Sequence, residues 1–130
     1  MLKNYKEDRG SLSYLEFDNL NFQPKRVYYV SNVPSGEIRG KHGHKKDKQY
    51  LICVKGKVGV RMVFNDKKSG AYTETYKILN EGDSCLLDTW VWGEQKYLTE
   101  DTILLVLCSE KYDQDEYIHD INEILNYKKD

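Results

Sequence analysis

The stretch GEIRGKHGHKKDKQYLICVKG, Gly36 to Gly56, decides how this chain is read. Its first half is polar and punctuated by glycine; its second half is a run of apolar and β-branched residues. His42 and His44 stand one residue apart. In a strand, residues i and i+2 point to the same face, so the two imidazoles project together. Gly36 and Gly56 bracket the stretch and suit tight turns at its two ends. The segment therefore reads as a strand, a polar turn and a second strand, with both histidines on one side.

Outward from this core the pattern repeats. RVYYVSNV (26–33), YLICVKGKVGVRMVF (50–64), AYTETYKIL (71–79), SCLLDTWVW (84–92) and TILLVLCS (102–109) are short and rich in β-branched and aromatic residues. The turn signals VPSGE, VKGK, NDKKSG, NEGDS and YLTED separate them. Lys57–Phe64 and Ala71–Leu79 flank a Gly-containing loop and predict a hairpin. Strands at this spacing without long helices between them predict an all-β sandwich or closed barrel. One segment has helical period. In DQDEYIHDINEILNY (113–127), Ile118, Ile121, Ile124 and Leu125 share a stripe. Asp113 or Asp115 can cap its start, and Lys128 and Lys129 suit its end, so one C-terminal helix is expected on the outside of the β-structure. His119 falls off the stripe and is expected at the surface.

The 130 residues predict a single domain spanning 1–130, a length at which roughly two thirds of the unfolded surface is buried on folding. The net charge of −1 carries no basic excess for nucleic acid. The longest apolar run, Ile103–Cys108, is too short to span a bilayer, and the start MLKNYKEDRG has no signal-peptide apolar region. Cys53, Cys85 and Cys108 form no CxxC pair. An odd count without a secretion signal predicts reduced core thiols and a cytoplasmic location.

The spacing around the histidines resembles the first cupin motif. Gly36 is followed by five residues, His42-Gly43-His44, four residues, Gln49, six residues and Gly56. GDSCLLDTWVWGEQKY, opening at Gly82, has the layout of the second motif in outline. A metal-binding cupin uses two His and a Glu from the first motif and a His from the second. Here Gln49 stands at the Glu position and Gly93 at the His position, which removes two of the four ligands. No tight metal site is therefore expected. Two neutral imidazoles on one face remain. Imidazole titrates near pH 6.5, so it can accept and return a proton at neutral pH. A pair of them suits moving a proton between adjacent carbons, as in an enediol-type isomerisation.

Longer strings carry a more specific resemblance. DRGSL (8–12), KRVYYV (25–30), RGKHGHKKDKQYLICVKGKVGV (39–60), VWGE (91–94) and DTILLVLCSEKYDQDEYIHDINEIL (101–125) resemble the sugar 3,4-ketoisomerases. The resemblance implies a small cupin-type β-barrel (jelly roll) with a C-terminal helix, usually a homodimer. It implies a substrate, dTDP-4-keto-6-deoxyglucose or a related dTDP-linked 4-keto-6-deoxyhexose. The carbonyl of that sugar would shift from C4 to C3 without metal or cofactor, ahead of an aminotransferase. His42 and His44 match the proposed acid/base pair, with His42 favoured as base at C3 and His44 near C4. Arg9 and Arg39 match arginines near the substrate. Arg26 joins them as a candidate for the two phosphates, Tyr28 on the same strand face as a pocket or stacking residue, and Gln49, Trp92 and Glu94 as further substrate contacts.

The chain departs from that family in DTWVWGE (88–94), where Thr89 replaces a proline and Gly93 a basic residue. The departure bears on which sugar is made. Two other readings stay open at this point: a cupin that binds a sugar nucleotide or small metabolite without turnover, and a metal-dependent cupin.

Overall fold

The computed structural model describes residues 2–66 and 71–127. Among the described residues, eleven strands and one short α-helix follow in chain order: β1 (Lys3–Glu7), β2 (Gly10–Tyr14), β3 (Arg26–Val30), β4 (Ile38–His44), β5 (Gln49–Lys55), β6 (Lys57–Asp66), β7 (Ala71–Asn80), β8 (Ser84–Leu87), β9 (Trp92–Tyr97), β10 (Ile103–Cys108), β11 (Tyr117–Ile118) and α1 (Ile121–Leu125). One sheet has the order β3-β10-β5-β8 and a second the order β11-β4-β9-β6-β7. Every ladder is antiparallel. Strands β1 and β2 form a hairpin of their own.

The two sheets face each other. Between them lie Leu51, Cys53, Val58, Val60, Leu79, Leu87, Tyr97, Leu104, Val106 and Cys108. The architecture is nearly all β, as the strand pattern predicts. The sheets are not joined into a closed barrel: among the described residues no ladder links one to the other. Side chains, rather than backbone bonds, hold the two layers together, as in a sandwich. Strand β5 is buried from Gln49 to Cys53, and apolar from Tyr50 on, because it is covered on both faces. Tyr50, Ile52 and Leu107 point outward and are capped by Leu15, Leu20 and Phe22 from the segment before β3.

The predicted hairpin pairs Lys57–Asp66 with Ala71–Asn80. Its turn, including Gly70, and the helix-ending Lys128 and Lys129 lie outside the described residues. The C-terminal helix is shorter than its periodicity predicts. Asp113 caps a single 3-10 turn, Gln114–Glu116, by accepting from Asp115 N. Tyr117 and Ile118 then leave the helical path and pair with His44 and Gly43. Pairing satisfies the edge of β4, and Ile118 is buried in doing so. Only then does Asp120 cap α1, accepting from Asn122 N at 2.9 Å. Ile124 packs with Val63, Trp92 and Ile118 on the outer face of the second sheet. Gly43 makes room for it: a Cβ there would lie 2.6 Å from Ile124 Cδ1.

The three thiols are free. Burial pushes Cys53 and Cys85 up to about 11 and Cys108 up to about 12, so all are protonated core groups at neutral pH. No helix among the described residues is long and apolar enough to cross a membrane.

Candidate active site

A cavity of about 80 Å³ opens between the two sheets, lined by Tyr28 and Val30 of β3, Arg39 and His42 of β4, Gln49 and Leu51 of β5, and Gln95 and Tyr97 of β9, among others. Strand β4 crosses it with a fault. Arg39 pairs with Gln95 and Gly40 with Glu94, then the register shifts and His42 pairs with Gly93. Gly40 (φ 89°) and Lys41 (φ 63°) are both left-handed at this bulge. In a regular strand residues 39 and 42 would face opposite sides. The extra residue puts Arg39 and His42 on the same side.

His42 and His44 lie edge to face, ring centroids 5.0 Å apart. Tyr117 packs on both, at 5.0 and 4.4 Å. His44 is 1% exposed. Its Nδ1–H donates to Glu116 Oε2. The other carboxylate oxygen accepts from the backbone N–H of Lys46 at 3.0 Å and of Asp47 at 2.9 Å. Burial pushes the Glu116 carboxyl up, but the His44 bond and these two N–H groups outweigh it and hold it below its ordinary value. An ionised Glu116 only accepts, which places the His44 proton on Nδ1 and leaves Nε2 as the basic nitrogen. That Nε2 is buried with no partner among the described residues, as is Nδ1 of His42. Burial, then the neighbouring His44 and His119, lower His42 to about 4. His42 is therefore a free base at neutral pH.

Asp47 organises the floor beside the pair. It accepts from Arg26 Nη2 and Gln49 Nε2 at 3.0 Å each and from Glu110 N at 3.0 Å. A carboxylate at position 49 would face the Asp47 carboxylate; an amide donates to it instead. His44, Asp47 and Glu116 bring their ligating atoms within 4.8 Å of one another, but those carboxylates are taken up by the hydrogen bonds just described. With Gln49 turned to Asp47 and no side chain at Gly93, the two histidines gain no third ligand of the kind a catalytic metal site uses.

The sequence-derived residues divide into two groups. Tyr28, Arg39, His42 and Gln49 line the cavity, and His44 packs against His42. Arg26 extends the face of Tyr28; its guanidinium lies 5.6 Å from the Tyr28 ring and 5.8 Å from that of Tyr112. Trp92 and Glu94 are on the other face of β9. Trp92 is packed in the cluster under α1, and its Nε1 donates to Glu94 Oε2 at 2.8 Å. Glu94 also accepts from Arg61 at 2.9 Å. Alternation along β9 turns both away from the cavity that Gln95 and Tyr97 line. Arg9 sits at the tip of the β1–β2 hairpin, paired with Glu7 at 3.4 Å and almost fully exposed, and takes no part in lining the cavity. His119 is exposed, as its position off the helical stripe predicts, and stacks on Tyr117.

Glu116, Asp47, Tyr117 and Gln95 are site residues that the reading of the sequence passes over. Glu116 lies in LLVLCSEKYDQDEYI, the segment that carries the family resemblance. That is the one signal that could have drawn attention to it.

Two open sheets enclosing a paired-histidine pocket define a small-molecule site suited to proton transfer. The chain belongs to the family described as FdtA: WxcM-like, C-terminal, whose match runs over residues 1–129. It is 32% identical over 124 residues to a TDP-4-oxo-6-deoxy-alpha-D-glucose-3,4-oxoisomerase of Aneurinibacillus thermoaerophilus, covering 95% of this chain and 84% of that protein. Among solved structures it resembles the 3,4-ketoisomerase QdtA of Thermoanaerobacterium thermosaccharolyticum. A histidine-to-asparagine variant of QdtA in complex with TDP-4-keto-6-deoxyglucose has a TM-score of 0.84 and 33% identity, over 96% of this chain and 88% of that one. The TDP-quinovose 3,4-ketoisomerase WlaRB of Campylobacter jejuni has a TM-score of 0.81 and 34% identity, over 97% and 94% of the two chains.

Proposed function

We propose that this chain is a nucleotide-sugar 3,4-ketoisomerase acting without metal or cofactor. Its substrate is a TDP-linked 4-keto-6-deoxyhexose, its fold cupin-type, and its location the cytoplasm. The observation that carries the reading is the histidine pair at the cavity, each ring with one buried nitrogen unpartnered among the described residues and one ring held by Glu116. Family membership narrows the chemistry to the one its relatives' names describe.

The C4 ketone acidifies the proton on C3. Neutral His42 removes it; the resulting imidazolium gives that proton to the C4 oxygen, and an enediol forms across C3 and C4. The basic Nε2 of His44, with its tautomer held by Glu116, then takes the proton of the C3 hydroxyl and delivers it to C4, and the C3 oxygen becomes the ketone. Such general acid–base assistance is worth roughly 10²–10⁴-fold. The reacting part of the hexose is taken at the cavity lined by Arg39, His42, Gln49 and Gln95. The nucleotide then lies toward the mouth, where Arg39 is exposed and Arg26 stands beside Tyr28 and Tyr112. Gln49 acts through Asp47 rather than on the sugar.

A homodimer is part of the proposal. Val27, Tyr29, Val54 and Leu12 are 59%, 68%, 46% and 58% exposed, on β3, β5 and the hairpin, an apolar surface that a second copy would cover. Arg9 at the hairpin tip would contact substrate only in a partner's site.

The test is an NMR assay of TDP-4-keto-6-deoxyglucose in deuterium oxide, with and without chelator. Deuterium entering at C3 and a 3-keto product, unaffected by chelator, are expected. Tight binding with no exchange would leave only a non-catalytic binding role.

A further inference from the structure

Gln95 pairs with Arg39 in the β4–β9 ladder, and its side chain forms part of the cavity wall. Its carboxamide lies in space left by two glycines. A Cβ on Gly40 would come 2.8 Å from Gln95 Oε1, and one on Gly93 would come 3.5 Å from Gln95 Nε2. Gly93 is the residue paired with His42. A side chain at position 93 would need Leu87 to shift, since Leu87 Cδ2 would lie 2.8 Å from a Cβ there. The Gln95 amide thus spans the strip of wall beside the His42 pair. It makes no hydrogen bond to another described residue. The amide of Gln49, on the facing sheet, is by contrast spent on Asp47.

We propose that Gln95 is a substrate-positioning residue whose Nε2–H donates to the carbonyl oxygen of the keto sugar. The inference rests on the ketoisomerase reading. When His42 takes the C3 proton, the C–H electron pair moves into a C3–C4 double bond and negative charge collects on the C4 oxygen. Gln95 gives that oxygen a hydrogen bond and no proton. A donor aimed at a developing oxyanion in a water-poor site is worth about 10²-fold or more.

The experiment compares Gln95→Leu and Gln95→Glu with the parent, using TDP-4-keto-6-deoxyglucose, with melting curves to verify folding. Gln95→Met replaces the leucine variant if that one melts early. The apolar variant is expected to lose about 100-fold in kcat with KM within about threefold, and C3 deuterium exchange to slow in step. Gln95→Glu keeps the length but donates only when protonated, so its kcat should rise as pH falls from 7 to 5, a trend the parent lacks. A folded apolar variant with kcat within threefold of the parent, or a Glu variant with the parent's pH profile, overturns the inference alone. A parent chain that neither exchanges C3 nor makes a 3-keto sugar overturns the ketoisomerase reading and this inference with it.

Discussion

Glu116 and His44 are joined by a buried hydrogen bond across 72 residues of sequence, and the same carboxylate accepts the backbone N–H groups of Lys46 and Asp47. One side chain thereby sets the tautomer of His44 and ties the turn after β4 to the C-terminal segment.

Replacing Glu116 separates these two jobs. Glu116→Gln keeps an accepting oxygen but no charge, and kcat should fall about 10²-fold with little change in KM. Glu116→Ala also strands buried donors, and should cost about 3 kcal/mol or more of stability by denaturant unfolding. Equal kcat in Glu116→Gln and the parent would remove Glu116 from the chemistry.

His42 makes a pH prediction. Held at about 4 by burial and its histidine neighbours, it is neutral through the physiological range. The acid limb of kcat/KM that it governs should therefore lie near pH 4 rather than 6.5. His42→Asn should abolish C3 exchange at every pH.

The same shift acts on stability. Between pH 6.5 and 4 the unfolded chain protonates His42 and the folded chain does not, so stability falls as pH falls through that window. The loss is on the order of 2 kcal/mol, from about 1.4 kcal/mol per unit discounted for partial exposure. His42→Asn should flatten unfolding free energy between pH 6.5 and 4.5. Glu116 adds a further loss only below its ordinary value, where the unfolded chain's carboxyl protonates and the folded one, held lower, does not. An unchanged pH profile in the asparagine variant would show that His42 is not desolvated.

Gly40→Ala tests the bulge. The residue has φ 89°, and a Cβ would meet Gly93 O at 2.9 Å as well as the Gln95 side chain. A cost of about 1–3 kcal/mol is expected. Activity should fall further than stability alone explains, because Arg39 loses its place beside His42.

Trp92→Phe separates packing from substrate contact. The indole bond to Glu94 is lost, for about 1 kcal/mol, while kcat and KM for the keto sugar should stay at parental values. A raised KM would return Trp92 to the substrate site.

Much of the architecture is legible in local pattern. Strand identity, the β6–β7 hairpin and the shared face of His42 and His44 follow from alternation and turn chemistry, which act over a few residues. Helical period in residues 113–127 misleads because periodicity cannot sense an open sheet edge: Tyr117 and Ile118 pair with β4 and shorten the helix. The sequence by itself determined that two imidazoles lie on one strand and which family the motifs belong to. Only the tertiary structure decided that Glu116 holds His44, that a bulge at Gly40 and Lys41 turns Arg39 toward His42, and that Trp92 and Glu94 face away. Each of these depends on register between strands distant in sequence, and a shift of one residue reverses the face a side chain takes.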